Sequence, residues 1–214
     1  MNVETGYLFR ELTPTRAALS FNNSVKRASD IIFALTAIAV FFIPCIIIAC
    51  CIWLEDRHSP IYSQERIGRR GRPFMLYKFR SMRVDSEKDN RPELCRENDD
   101  RLTAIGRFLR QHHLDEFPQL WNVLKGEMSF VGYRPERQYF IDKISEHTPE
   151  YPRLFAIRPG LFSTATLYNG YTDTIEKMLT RLEMDLDYLE NRTLLLDIKI
   201  ITKTALTIIS GKQF

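Results

Sequence analysis

Two neighbouring acidic residues, Asp115 and Glu116, stand just ahead of Pro118 and are the side chains best suited to chemistry in this sequence. Apolar residues follow at helical spacing and Gly126 closes the segment, which predicts a short helix with proline first and glycine past its end. Unpaired N–H groups at a helix N-terminus favour negative charge. An ionised carboxylate there is suited to be a nucleophile or a metal ligand. An acidic helix cap is the structural alternative.

A basic hairpin precedes the acidic pair. Strands are predicted at Ile61–Tyr62 and Phe74–Arg80, with a turn over Gly68–Pro73. Lys78 and Arg80 share one strand face, which suits paired phosphate contacts or an ordinary solvated face. The arginines of the turn fit attraction to anionic lipid headgroups. Nucleic-acid binding is the third interpretation, and the modest net charge of +3 argues against it.

Three further arginines are candidates for anion binding. Arg110 lies on a helix that the pattern starts at Asp99-Asp100 and ends near His112-His113, the latter interpreted as structural or exposed. Arg134 precedes a second proline that predicts a helix start, where backbone N–H groups attract anions. Arg158 lies in a tight turn. With the acidic pair, these residues fit a site for a diphosphate with Mg²⁺ between carboxylates and phosphate oxygens.

The stretch Ile31–Leu54 runs for 24 residues without a charge. As a straight helix it would be about 36 Å long, enough for a bilayer core of about 30 Å. Pro44, near its middle, removes a backbone hydrogen bond and predicts a bend. Basic residues flank both ends, as is typical of cytoplasmic flanks. This combination favours a re-entrant helix that bends at Pro44 and returns over one that crosses the membrane.

The rest of the sequence limits the alternatives. A chain of 214 residues suffices for one substantial domain plus appendages. Cys45, Cys50 and Cys51 lie in the apolar run and Cys95 is distant, so neither a zinc site nor a disulfide framework is indicated. No secretory signal is found in residues 1–25. The charged stretch 84–101 is predicted to lie at the surface.

Two C-terminal helices are predicted from apolar stripes, over Thr174–Glu190 and from Leu194 onward. The second either packs on the core or lies in the headgroup plane. Phe162, Tyr168 and Tyr171 either sit near the interface or line a pocket.

Long, ordered motifs cover about residues 24 to 211 of the chain. They comprise Ser59–Met82, Arg101–Glu136, Arg158–Gly160 and Leu196–Thr204. In these motifs the chain resembles the bacterial sugar transferase family, the monotopic phosphoglycosyl transferases. Two positions depart from the family pattern: Tyr133 stands where a proline is usual, and Ile43 where a small polar residue often precedes Pro44.

The resemblance implies a fold and a domain organisation. The expected fold is α/β and mainly helical, a membrane-associated monotopic domain with a Pro-broken re-entrant helix and amphipathic interfacial helices. The expected division is an N-terminal segment 1–25, a re-entrant membrane helix 26–56 and a cytoplasmic catalytic domain 57–214. The chain would be of the small kind, with no extra N-terminal transmembrane domain, in the bacterial inner membrane with its catalytic domain on the cytoplasmic face.

The resemblance also implies an activity. The family transfers a phospho-sugar from a UDP-sugar to polyprenol (undecaprenyl) phosphate and releases UMP, the first membrane step of bacterial surface glycan synthesis. Asp115 would attack the sugar-bearing phosphate to form a covalent intermediate. Glu116 would help to place Mg²⁺ or assist the acceptor, so both acidic residues are expected metal ligands. The expected substrate-binding residues are Lys78, Arg80, Arg110, Arg134 and Arg158.

The expected partners are the UDP-sugar donor, the polyprenol phosphate acceptor and membrane lipids, without nucleic acid. The sugar, the glycan pathway and the oligomeric state, a homodimer included, stay open. The alternative from another class is a non-catalytic membrane-surface module that binds lipid phosphates through its arginines. The adjacent Asp115 and Glu116 argue against that module, which would have no need of them.

Overall fold

The structure, a computed structural model, describes residues 23–86, 94, 99–170 and 172–210. Its helices and strands, in chain order, are α1 (Asn23–Asp56), β1 (Ile61–Ile67), β2 (Pro73–Phe79), α2 (Ala104–Gln111), α3 (Gln119–Lys125), β3 (Ser129–Val131), α4 (Gln138–Ser145), β4 (Gly160–Phe162), α5 (Thr164–Tyr168), α6 (Ile175–Asn191) and α7 (Leu194–Ser210). Short 3₁₀ turns lie at Arg69–Gly71, Leu114–Glu116 and Tyr151–Ala156. Nearly all of the predicted segment 1–25, most of the charged stretch 84–101, Cys95 and Tyr171 lie outside the described residues.

The described chain is mainly helical and carries two small sheets, in agreement with the expected α/β class. Strands β1 and β2 form the predicted antiparallel hairpin, with Ile61 opposite Phe79. Strand β1 extends to Ile67, beyond the predicted two residues. The middle of β1 is polar and has a weak intrinsic preference for strand. Its strand conformation therefore depends on pairing with β2.

Strands β3 and β4 are parallel and approach each other at two glycines. A Cβ on Gly132 would lie 2.5 Å from the carbonyl oxygen of Arg158, and one on Gly160 would lie 2.1 Å from the nitrogen of Gly132. Only glycine fits such contacts. The Tyr133 carbonyl then accepts a hydrogen bond from the nitrogen of Gly160 at 2.8 Å. This fixes the backbone just before Arg134.

Helix α1 is one continuous helix of 34 residues that includes Pro44. It is long and apolar enough to cross a membrane, and only 6% of its most apolar stretch is buried. Large side chains such as Phe42 and Ile43 are 59% and 69% exposed. An exposed apolar surface of this length indicates a membrane protein. The re-entrant path stays a prediction.

Both ends of α1 bind the same domain. Near its start, Lys26 Nζ lies 2.6 Å from Asp197 Oδ2 in α7, and Arg27 donates to the last carbonyls of α3. At its end, Asp56 binds the guanidinium of Arg80 through both carboxylate oxygens. The intervening helix packs along the domain through one face, where Ala34 and Ile52 are buried.

Two predicted helix starts are wrong. Helix α2 begins at Ala104, where the Thr103 hydroxyl accepts from the nitrogen of Gly106 at 2.9 Å, and not at Asp99-Asp100. Asp99 instead pairs with Arg101 Nη2 at 2.6 Å. In this helix the Thr103 hydroxyl is the cap, and the acidic pair lies outside it.

The second error concerns the segment after β3. Helix α4 begins at Gln138, whereas the proline pattern placed its start near Pro135. Glu136 is buried and bound to Arg66 and Arg181, which keeps this segment extended. The C-terminal prediction is confirmed, since α6 and α7 form with the Thr174 hydroxyl capping α6.

Candidate active site

The acidic pair lies in the 3₁₀ turn Leu114–Glu116, between α2 and α3. His113, just before the turn, has a left-handed backbone with φ of 53°. This bend directs the chain so that Asp115 and Glu116 are 5% and 9% exposed. Helix α3 (Gln119–Lys125) begins one residue after the predicted start at Pro118, and it ends as predicted at Gly126 with φ of 83°. Pro118 is its N-cap, so the acidic-cap alternative does not hold.

Cations from two separate elements converge on this turn. Lys78, at the end of β2, places Nζ 2.7 Å from Glu116 Oε1 and 3.9 Å from Asp115 Oδ2. Arg134, in the segment after β3, places Nη2 3.1 Å from the same Glu116 oxygen. Among the residues that the structure describes, Glu116 is therefore bound by both cations, whereas the ion pair of Asp115 with Lys78 is longer.

The surroundings shift the pKa values of Asp115 and Glu116 in opposite directions. Burial raises the pKa of Asp115, and Lys78 only partly offsets the effect. Burial acts on Glu116 too, but Lys78 and Arg134 outweigh it and hold the pKa of Glu116 well below its ordinary value of 4.5. Burial also lowers the pKa of His113. Glu116 is thus a fixed anion and Asp115 the more basic carboxylate.

A cavity of about 580 Å³ opens onto the pair. Asp115, Glu116, Lys78 and Arg134 line one part of it, and His58 and Ser59, just after α1, line another. A further polar set lines the cavity, comprising Gln64, Arg66, Glu136, Arg137, Thr172 and Arg181. The cavity thus joins the end of the apolar helix to the acidic turn.

Four of the five predicted substrate-binding cations line this cavity: Lys78, Arg80, Arg110 and Arg134. Arg80 also holds Asp56 and the carbonyl of Ser59, so it ties the end of α1 to the site. The Arg110 Nε donates to Ser81 Oγ at 3.0 Å.

Arg158 is not brought to the cavity. Its Nε donates to the carbonyl of Gly126 at 2.8 Å, at the far end of α3.

Sequence reasoning missed the polar set around Glu136 that lines the cavity. Glu136 accepts from Arg66 Nη1 at 2.9 Å and from Arg181, so one buried carboxylate joins β1, the segment after β3 and α6. These partners are distant in sequence, and no local pattern signals them. His113 was interpreted as structural or exposed, yet it lines the cavity beside the acidic turn.

The donor set fits Mg²⁺ that arrives with a diphosphate. Among the residues that the structure describes, no group of three or more His, Cys, Asp or Glu side chains could hold a metal by itself. Mg²⁺ is usually bound through one or two carboxylates, waters and substrate phosphates. Asp115 and Glu116 would supply those carboxylates if such an ion binds with the substrate.

Comparison with known proteins gives one family. Residues 21–211 match the family model described as bacterial sugar transferase. The chain is 36% identical to the UDP-N-acetylgalactosamine-undecaprenyl-phosphate N-acetylgalactosaminephosphotransferase of Aeromonas hydrophila, over 87% of this chain and 44% of that protein. It is 39% identical to the UDP-glucose:undecaprenyl-phosphate glucose-1-phosphate transferase of Escherichia coli, over 86% and 40%. It is 37% identical to the enzyme of the same name from Caulobacter vibrioides, over 84% and 67%. The chain thus spans less than half the length of the first two relatives.

Proposed function

The chain belongs to the bacterial sugar transferase family, and we propose that it transfers a sugar 1-phosphate from a UDP-sugar to undecaprenyl phosphate. The observation that carries this proposal is the buried Asp115–Glu116 pair, flanked by cations, in a cavity that reaches the end of an apolar helix. Relatives named for this reaction use different sugars, so the comparison supports the reaction class and not one donor.

In the proposed first step, a carboxylate oxygen of Asp115 attacks the phosphorus that bears the sugar. A new P–O bond forms, the bond to the bridging oxygen breaks, and UMP leaves with that electron pair. In the second step, a phosphate oxygen of undecaprenyl phosphate attacks the same phosphorus and releases Asp115. The position of Asp115 supports this role, because its ion pair is the longer one and it is the more basic carboxylate.

The cations lower the repulsion between two anions. Lys78 and Arg134, which lie at Glu116, would neutralise the diphosphate as Asp115 approaches; their contacts with Glu116 beside Asp115 support this role. When bound, Mg²⁺ would be held by Asp115 and Glu116 and would supply further charge neutralisation at the phosphate oxygens. Glu116 orients Lys78 and Arg134 whether or not Mg²⁺ is bound.

We propose that α1 is re-entrant and that the catalytic domain lies on the cytoplasmic face of the bacterial inner membrane. Its support is that Lys26 and Asp56, near opposite ends of α1, both bind the same domain. A crossing helix would separate these ends by the bilayer. Because Ser59 lines the cavity, a lipid-borne phosphate at the headgroup level would lie near Asp115.

Labelling of single cysteines tests the topology. In a cysteine-free background, cysteine replaces Ser24 in one variant and Arg57 in another, and an impermeant maleimide is added to membrane vesicles. Both positions should react in inside-out vesicles and neither in right-side-out spheroplasts. Reaction of the two positions from opposite sides would exclude the re-entrant path.

Release of UMP from a panel of UDP-sugars, with Mg²⁺ and undecaprenyl phosphate, tests the activity. We expect release with at least one donor, and loss of release in Asp115→Asn. Asp142→Asn is the matched control, because Asp142 lies on the surface of α4. Release without lipid should stop after one equivalent of UMP, with a phospho-sugar adduct on Asp115.

Two results would oppose the proposal. Equal release by Asp115→Asn would remove Asp115 as the nucleophile. No release with any donor, together with binding to anionic vesicles, would favour the non-catalytic membrane module.

A further inference from the structure

A cluster of buried polar groups lies behind the cavity. Tyr133, Tyr151 and Asp185 are 0%, 3% and 2% exposed. Among the residues that the structure describes, both phenol oxygens and Asp185 Oδ1 have no hydrogen-bond partner. Buried polar atoms are nearly always bonded, so three together call for an explanation.

The cluster adjoins the proposed active site through Arg134. Asp185 Oδ2 accepts a hydrogen bond from the backbone nitrogen of Arg134 at 3.4 Å. The guanidinium of the same residue donates to Glu116 at 3.1 Å. Tyr133, unlike proline, does not fix its own φ, so this segment depends on such contacts for its shape.

Charged and titratable groups surround Asp185 on several elements. They are Arg181 on the same helix, Tyr133, Arg134 and Glu136 on the segment after β3, and Tyr151 on the 3₁₀ turn Tyr151–Ala156. Burial raises the pKa of Asp185 to about 7, and Arg181 and Arg134 only partly offset the effect. Asp185 therefore changes its charge near neutral pH.

We propose that Asp185 is a positioning residue, whose ionised carboxylate fixes the backbone of Arg134 so that its guanidinium faces Glu116 and the donor diphosphate. This inference rests on the proposed function. Asp185 touches neither substrate nor Asp115; it acts through Arg134. Protonation of Asp185 weakens the acceptor of the Arg134 N–H, so donor binding should decline as pH falls through 7.

Thermal stability distinguishes a positioning role from a structural role. Loss of a structural contact lowers stability together with activity, whereas loss of a positioning charge lowers activity alone. The folded pKa of Asp185 lies above its ordinary value of 3.8, so the folded chain binds this proton more tightly than the unfolded chain. Its contribution to stability falls as pH rises from about 4 to 7, and the full penalty is present above pH 7. Asparagine keeps the shape without the charge. Asp185→Asn should therefore lower activity without lowering stability at pH 8.

The experiment compares Asp185→Asn with Asp187→Asn. Asp187 lies on the same helix, is half-buried and accepts from Asn191, away from Arg134. UMP release at limiting donor, UDP binding by calorimetry and thermal unfolding are measured from pH 5.5 to 9. In Asp185→Asn we expect kcat/KM and UDP affinity to fall about tenfold at pH 8, the size of one charge-assisted hydrogen bond. The wild-type decline below pH 7 should disappear, and Tm at pH 8 should not fall.

Three results would overturn the inference. In the first, Asp185→Asn keeps the kcat/KM and the UDP affinity of the wild type and shows the same decline below pH 7. Another is a loss of activity that parallels a lower Tm, and a third is an equal loss in Asp187→Asn. Absence of UMP release by the wild type with every donor would refute the proposed function instead. UDP binding would then still decide whether Asp185 positions Arg134.

Discussion

Replacement of Lys78 by methionine removes the cation that the two carboxylates share. Its Nζ lies 2.7 Å from Glu116 and 3.9 Å from Asp115. The three side chains are only 19%, 11% and 6% exposed, so water screens these ion pairs poorly. Methionine keeps most of the apolar stem, and the change therefore isolates the effect of the charge.

The expected magnitude follows from the longer ion pair, because Asp115 is the proposed nucleophile. At 3.9 Å and an effective dielectric constant of about 20, Coulomb's law gives about 4 kcal/mol for ionised Asp115 beside Lys78. Arg134 and residual solvent compensate for part of this, so we take about 2 to 4 kcal/mol. Since about 1.4 kcal/mol corresponds to tenfold, the covalent step should slow about 30- to 1,000-fold at neutral pH. Loss of Lys78 removes a charge that opposes the raised pKa of Asp115, so that pKa should rise further and part of the rate should return as the pH is increased.

Intact-mass spectrometry after rapid quenching measures the step directly. The enzyme is mixed with saturating UDP-sugar in the absence of lipid, and the phospho-sugar adduct is followed from pH 6 to 9. Saturating donor separates slower chemistry from weaker binding. Lys143→Met is the control, because its ion pair with Glu146 is exposed on α4. Adduct formation by Lys78→Met within threefold of wild type at pH 7 would refute the electrostatic argument.

Three further predictions concern packing and charge. A Cβ on Gly106 would lie 1.9 Å from the carbonyl oxygen of Ser81, so Gly106→Ala should lower Tm by several degrees in a thermal scan and impair UMP release. Arg80→Lys loses the two-pronged contact with Asp56, so hydrogen exchange at the end of α1 should increase. The lowered pKa of Glu116 gives stability that is present above pH 4.5 and lost as pH falls below it. The Tm difference between wild type and Glu116→Gln should therefore shrink below pH 4.5, and a constant difference would contradict this.

Elements with local signals could be predicted from the sequence. The end of α3 was predicted because a left-handed residue there favours glycine, and Gly126 has φ of 83°. The start of α6 was predicted from its apolar stripe, and the Thr174 hydroxyl caps it. The β1–β2 hairpin was predicted because glycines and a proline mark its turn. In each case the determining contacts lie within a few residues of one another.

Contacts between distant segments could not be predicted. Arg134 and Arg158 look alike in sequence, since each directly precedes a proline. The fold directs Arg134 to Glu116 and Arg158 to the carbonyl of Gly126. The extended path through Glu136 likewise depends on its buried ion pair with Arg181 of α6, which overrides the helix-start signal of proline.

Tertiary contacts also distinguish the two carboxylates, Asp115 and Glu116, and the roles proposed for them. Asp115 and Glu116 are neighbours on one turn, and nothing local distinguishes them. Glu116 Oε1 accepts from both Lys78 and Arg134, so the lone pairs of that oxygen are committed, and the lowered pKa makes Glu116 the less basic carboxylate and the poorer nucleophile. In the proposed reaction, an incoming diphosphate would compete with Glu116 for these two cations, so donor binding would change the contacts of Glu116. Asp115, whose ion pair with Lys78 is the longer one at 3.9 Å, would then approach phosphorus.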